Sequence, residues 1–151
     1  MNIVILGCGR IGSTLANSMS KAGHDVTIID RSSQAFRRLS PNFHGTMIVG
    51  NGIDESVLRK AGIEKADAFV AVTNGDNTNI MSVQIAREKF SVLKVIARMY
   101  DPIRACSYRE LGIDTICTTV VGARLIKDFL LGKEWGMASD YCSLSDIEDM
   151  I

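Results

Sequence analysis

The chain has 151 residues, room for one domain with a substantial core and hardly for two. Hydrophobic residues make up 46% and charged residues 23%, the balance of a soluble globular protein. Lysine plus arginine and aspartate plus glutamate each number 17, so no net charge draws in nucleic acid or anionic lipid. No apolar run approaches the roughly 20 residues that span a bilayer. The opening strand, soon followed by glycines and Arg10, is too short for a signal peptide. Cys8, Cys106, Cys117 and Cys142 have no close metal-ligand spacing, and free thiols are expected in a cytosolic chain.

The chain opens on an apolar strand, Asn2 to Leu6, that runs straight into Gly7-Cys8-Gly9-Arg10-Ile11-Gly12. A helix follows from Ile11 to Ala22, with Ile11, Leu15, Met19 and Ala22 on one stripe and Gly23 at its end. The second strand, Val26 to Ile29, closes on Asp30. Ser32 or Ser33 is suited to cap a short helix from Gln34 to Leu39, which Pro41 and Asn42 stop. Thr46 to Val49 reads as the third strand, and Gly50-Asn51-Gly52 as a turn.

Asp54 is placed to cap a helix from Glu55 to Ala61, and Ala68 to Val72 is the fourth strand. Thr73-Asn74-Gly75-Asp76 falls where a strand-to-helix loop belongs, ahead of a long helix from about Asn77 to Phe90 with Ile80, Val83 and Ala86 at helical spacing. Val92 to Ala97 is the fifth strand. Asp101-Pro102 opens a helix to Leu111, since proline suits the first helical position. Thr115 to Cys117 is a short sixth strand, and a last helix covers Val121 to Leu131. Strands of apolar, β-branched residues alternating with helices predict a parallel sheet covered on both faces. The expected fold is a Rossmann-like, doubly wound parallel six-stranded sheet in the order 3-2-1-4-5-6.

The glycine pattern carries chemistry because it stands between a strand and a helix, with an acidic residue ending the next strand. Gly7 permits the tight turn, Gly9 admits a pyrophosphate to the backbone, and Gly12 lets the helix approach the sheet. First-turn N–H groups then face the phosphates, and Asp30 can accept both hydroxyls of an adenosine ribose. That carboxylate opposes a 2′-phosphate, although Arg31 beside it weakens the discrimination. Several residues have two readings. Arg10 is a phosphate contact or a solvated side chain. Cys8 is a small apolar filler or a thiol acidified by the helix terminus. Asn51 and Asp54 serve the turn and cap or touch a ligand, Thr73 and Asn74 line a crevice or only shape their loop, and Arg98 acts on a ligand or snorkels to solvent. His24 and His44 each precede a strand, the first in a turn at the end opposite the crevice and the second in a Pro-Asn-rich loop, and both read as surface residues.

The chain resembles the N-terminal, nucleotide-binding RCK domain (KTN, or TrkA-N) of potassium-transport regulators. The resemblance covers residues 1 to about 131 and rests on GCGRIG, GNGIDESVLRKAGIEKADAFVAVTNGDNTNI, VIARMYDP and LGIDTICTT. VLRKAGIEKAD followed by a strand and TNGDNTN is far more specific than the glycine pattern, which ordinary dehydrogenases share.

The resemblance implies a domain that binds NAD or NADH, or ATP, ADP or AMP. It implies a homodimer that assembles into a cytoplasmic ring, peripheral at the inner face of the membrane, beneath an integral membrane potassium transporter or channel. Carried onto this chain, Gly7, Gly9, Arg10, Ile11 and Gly12 would hold phosphates. Asp30 would take the ribose, Arg31 would lie at the adenosine rim, and Asn51, Gly52 and Asp54 would fall near the adenine. Thr73 and Asn74 would line the crevice beside the second half of the ligand, with Arg98 at the end of the fifth strand. Many relatives continue into a C-terminal RCK domain, for which 151 residues leave no room. A separate subunit bearing that domain is therefore an expected partner, unless the chain is a truncated one. Residues 132 to 151 are expected to form an acidic tail or docking segment, with Asp140, Asp146, Glu148 and Asp149 and no lysine or arginine after Lys133. That tail favours a natural end.

The expected role is a regulatory nucleotide-binding subunit and not a catalyst, because no acid or base is poised for hydride chemistry. The alternative is the cofactor-binding part of a small NAD-dependent oxidoreductase. Sparse basic residues give no nucleic-acid surface. Ile126, Phe129, Leu130, Leu131 and Trp135 form an apolar set that suits either core packing or a subunit contact.

Overall fold

The computed structural model describes residues 1 to 136. Its strands are β1 (Asn2–Leu6), β2 (Asp25–Asp30), β3 (Thr46–Val49), β4 (Ala68–Ala71), β5 (Lys94–Met99) and β6 (Thr115–Cys117). They form one six-stranded sheet in the order β3-β2-β1-β4-β5-β6. β1 runs parallel to both β2 and β4, β2 to β3, and β4 to β5. Chain order thus reverses between β3 and β4, which lie on opposite sides of β1. The loops leaving β1 and β4 diverge at that switch point, where open parallel sheets form their ligand crevices.

The chain divides into two compact units, Met1–Ala97 and Arg98–Ile151. The first holds α1 (Arg10–Lys21), α2 (Glu55–Lys60) and α3 (Asp76–Gln84). Ile3, Ile5, Cys8, Ala16, Val26 and Ile28 pack between β1, β2 and α1 as a buried cluster. Val4, Leu6, Ile29, Phe69, Ile80 and Val83 are buried as well. The continuous apolar runs of β1 and β2 follow from burial on both faces. β3 departs from that expectation. Met47 is 53% and Val49 58% exposed, so the sheet is not covered on both faces at this edge.

The second unit contains α4 (Pro102–Glu110), β6 and α5 (Thr118–Leu130). Asp101 caps α4 as expected, its carboxylate accepting from Arg104 N at 3.2 Å ahead of Pro102. Thr115 is buried and donates its hydroxyl to Ala105 O at 2.8 Å, joining β6 to α4.

Local structure differs from the sequence expectations in several places. Residues Ser33–Arg38 form a 3-10 helix and not an α-helix, and the Ser32 side chain does not cap it. The long helix expected to Phe90 is α-helical only to Gln84 and then widens into a π turn, Ile85–Lys89. β5 starts at Lys94 because Val92 N bonds back to Ala86 O and Leu93 is 93% exposed. α5 begins at Thr118, three residues before the position expected from its apolar pattern. The acidic stretch and Cys142 lie outside the described residues.

Candidate nucleotide-binding site

The loop between β1 and α1 is shaped by its three glycines. Gly7 has φ +103°, a left-handed conformation that side chains resist, and its N–H donates to Ile29 O at 2.8 Å. A Cβ on Gly12 would lie 1.8 Å from Gly7 O, so only glycine allows α1 this close to the turn. Gly9 is different. A Cβ there would meet nothing within 4 Å, and the residue is exposed. Its open face is where a pyrophosphate can reach the backbone. α1 carries no acidic residue in its first turn. Its first N–H groups have no intrahelical acceptor and carry the positive end of the helix dipole. Arg10 and Ile11, at the head of α1, are exposed beside this opening, Ile11 by 39%.

Asp30 is built into the loop. Its Oδ2 accepts from Cys8 N at 2.7 Å and its Oδ1 from Ser32 N at 2.9 Å. The carboxylate therefore stands at the end of β2, oriented by two backbone amides and still half-exposed. Each oxygen retains capacity for a further donor, which a ribose diol can supply. Cys8 turns inward and is fully buried, its thiol 3.4 Å from Ala35 O. Burial and then the Asp30 charge push that thiol from 9.0 up to about 11, against the lowering pull of Arg38. Cys8 is thus the apolar filler of its two readings, and not a sensor thiol.

Around the rim, Arg31 donates to Asn51 Oδ1 at 3.0 Å, tying the end of β2 to the turn after β3. Asn51 also accepts from Ile53 N at 3.4 Å, the local duty of a turn residue. Gly52 is buried, and a Cβ on it would come within 2.2 Å of Leu6 Cδ1. Its requirement is packing. Asp54 caps α2 by accepting from Ser56 N at 2.8 Å, and the Ser56 hydrogen bonds hold its carboxyl below the usual range. The structure therefore gives Asn51, Gly52 and Asp54 local work that needs no ligand.

The loop after β4 borders Gly7 directly. A Cβ on Gly7 would lie 2.9 Å from Thr73 N and 3.1 Å from Thr73 Cα. Thr73 is half-buried and Asn74 exposed in this loop beside the glycine turn. What sequence reading missed is Asn79, a fully buried polar side chain in the first turns of α3. Its Oδ1 accepts from Thr73 N at 2.9 Å and from the Thr73 hydroxyl at 2.7 Å, while its Nδ2 donates to Thr73 O at 3.0 Å. The available signal was an asparagine on the Ile80 and Val83 side of a helix, where an unpaired amide would be costly. Arg98 belongs to the second unit. It is buried at the end of β5, with its guanidinium carbon 4.1 Å from the centre of the Tyr100 ring.

Both histidines are remote from the glycine turn. They line a cleft at the N-terminal ends of β2 and β3, with Ser20, Asp25 and Thr46. His24 Nδ1 lies 3.3 Å from the Met1 amino group. Among the described residues no group of three or more histidine, cysteine or acidic side chains could hold a metal. No helix among them is long and apolar enough to cross a membrane.

The sequence of residues 3–119 matches the model of the TrkA-N domain family. The chain belongs to the TrkA-N family. The Trk system potassium uptake protein TrkA of Streptomyces coelicolor is 52% identical over 118 residues, covering 78% of this chain and 53% of that protein. The chain therefore spans about half the length of this relative. The structure of the GsuK channel bound to NAD superposes with a TM-score of 0.71 and 28% identity, over 85% of this chain and 23% of that one. GsuK bound to ADP gives a TM-score of 0.72 and 28% identity, over 87% and 34%. The TrkA-N match includes every residue described above as part of the crevice.

Proposed function

We propose that this TrkA-N chain is a nucleotide-binding regulatory part of a potassium transport system and that it is not a catalyst. The observation carrying the reading is the oriented Asp30 carboxylate beside an open Gly9 face at the head of α1. An adenosine ribose on Asp30, with its phosphates over Gly9, Arg10 and Ile11, satisfies groups that the fold leaves facing outward. A second half, in NAD or NADH, extends toward Thr73 and Asn74. ADP, ATP and AMP use the first half alone. The names of the similar proteins, a potassium uptake protein and a channel bound to NAD or ADP, support the same reading.

In this proposal the chain is a cytoplasmic homodimer that joins a ring at the inner face of the membrane, against a potassium transporter or channel. Domains supplied by the rest of a longer protein or by a separate subunit complete the assembly. Two nucleotides act differently only if each makes contacts in one dimer geometry that it lacks in the other. A coupling of about 1–3 kcal/mol is ordinary for such a switch.

Titration calorimetry with NADH, NAD, ATP, ADP and AMP tests the reading, with at least one expected to bind below millimolar. Failure of all five overturns it. Hydride transfer would require an acid or base near the nicotinamide, and the two histidines lie at the other end of the sheet. Turnover of NADH with a small carbonyl or imine would establish the oxidoreductase instead.

A further inference from the structure

We infer that Asn79 is a positioning residue that holds the Thr73 loop against the glycine turn and so selects for ligands with a second half. The inference rests on the nucleotide-binding reading above and goes beyond it, because Asn79 faces the interior and touches no ligand. Three of its side-chain hydrogen bonds converge on one residue, taking the N–H, the hydroxyl and the carbonyl of Thr73. The amide of asparagine suits this work because one end accepts twice while the other donates. Asn79 N also donates to Gly75 O at 3.0 Å, and Gly75 N to the Thr73 hydroxyl oxygen at 3.2 Å, so the loop and the start of α3 form one bonded unit.

The Thr73 loop meets the glycine turn at Gly7. The Thr73 backbone occupies the space in which a Gly7 Cβ would stand, so the two loops bordering the switch point are packed without slack. Asp30 orients the opposite side of the glycine turn through Cys8 N. The adenosine side is thus fixed from β2 and the other side from α3, by different residues. Loosening Thr73 disturbs the half of the crevice that a mononucleotide does not use.

The test compares AMP with NADH on the whole chain by calorimetry, with circular dichroism confirming the fold of each variant. Asn79→Leu keeps similar bulk and deletes all three hydrogen bonds. NADH is expected to bind about tenfold or more weakly to it, while AMP changes by less than about threefold. Asn79→Asp keeps the shape but sets a carboxylate oxygen against Thr73 O, and gives a split of the same sign should the leucine variant not fold. Equal losses for both ligands would make Asn79 a general support of the fold, and unchanged NADH affinity would show that the loop needs no such hold. Either result overturns the inference. A wild-type chain that binds neither ligand overturns this inference at the earlier step, and the nucleotide reading falls with it only when NAD, ATP and ADP fail as well.

Discussion

Asp30 and Gly9 face the same opening, yet substitution at each should separate binding from folding in a different way. Asp30→Ala removes charge-assisted bonds to both ribose hydroxyls and frees Cys8 N and Ser32 N from their acceptor. Nucleotide affinity should fall by roughly 30- to 100-fold, read by calorimetry, with some loss of stability as well. Unchanged affinity would mean that the adenosine lies elsewhere. Gly9→Ala adds a methyl group to open space, so stability should hold within about 0.5 kcal/mol while phosphate approach is blocked. Cys8 gives a pH signature. Its thiol rises from 9.0 to about 11 in the folded chain, so the unfolded chain loses that proton first as pH rises. The stability contribution of the neutral thiol is therefore whole below about pH 9 and is lost between there and about pH 11. A Cys8→Ala variant should lack this part of the alkaline decline in chemical unfolding, and Cys8 should resist alkylation at pH 8 in the folded protein.

At the scale of elements, the junctions are set by a few polar bonds and by one glycine contact. Gly12→Ala places a Cβ 1.8 Å from a backbone oxygen, so α1 must move away from β1. Stability should drop by roughly 3 kcal/mol or more, measured by denaturant unfolding, and nucleotide binding should go with it. Asp54→Ala deletes the cap of α2. Its folded carboxyl titrates below the unfolded one, so the cap acts above about pH 4 and fades as pH falls through the lowered value. The variant should melt roughly 3–6 °C lower at neutral pH while retaining NADH affinity, because the side chain is spent on Ser56. Loss of affinity without loss of stability would reverse that assignment and make Asp54 a ligand contact.

For the molecule as a whole, the informative surface is the end of α5. Ile126 is 62%, Phe129 70%, Leu130 75% and Leu131 59% exposed, with Trp135 beyond them at 67%. Core packing, one of the two readings of this set, does not account for them within the described residues. Bringing such a face against a second copy would remove a large apolar area from water, at roughly 25 cal/mol per Å². A subunit contact is the other reading of this set, and the proposed homodimer is tested here. Phe129→Ser combined with Leu130→Ser should convert a dimer to a monomer in light scattering, without changing the circular dichroism spectrum. A wild-type chain that is monomeric with and without nucleotide would remove the dimer from the proposal.

Much of this protein was determined by the order of residues alone. Apolar β-branched runs bounded by glycine, aspartate and proline specify six strands and their alternation with helices, because parallel strands need crossover connections and both faces covered. The same local logic identified the glycine turn and Asp30, whose spacing is a property of one strand–turn–helix–strand segment. Tertiary structure decided what depends on residues distant in the chain. It assigned Gly52 to Leu6 and buried Cys8 beneath Ala35. It left the β3 edge exposed and gave Asn79 its place behind Thr73. Periodicity reports which face a residue occupies. It does not report which polar group waits on the other side, and that pairing determines whether a buried amide is a cost or a hold.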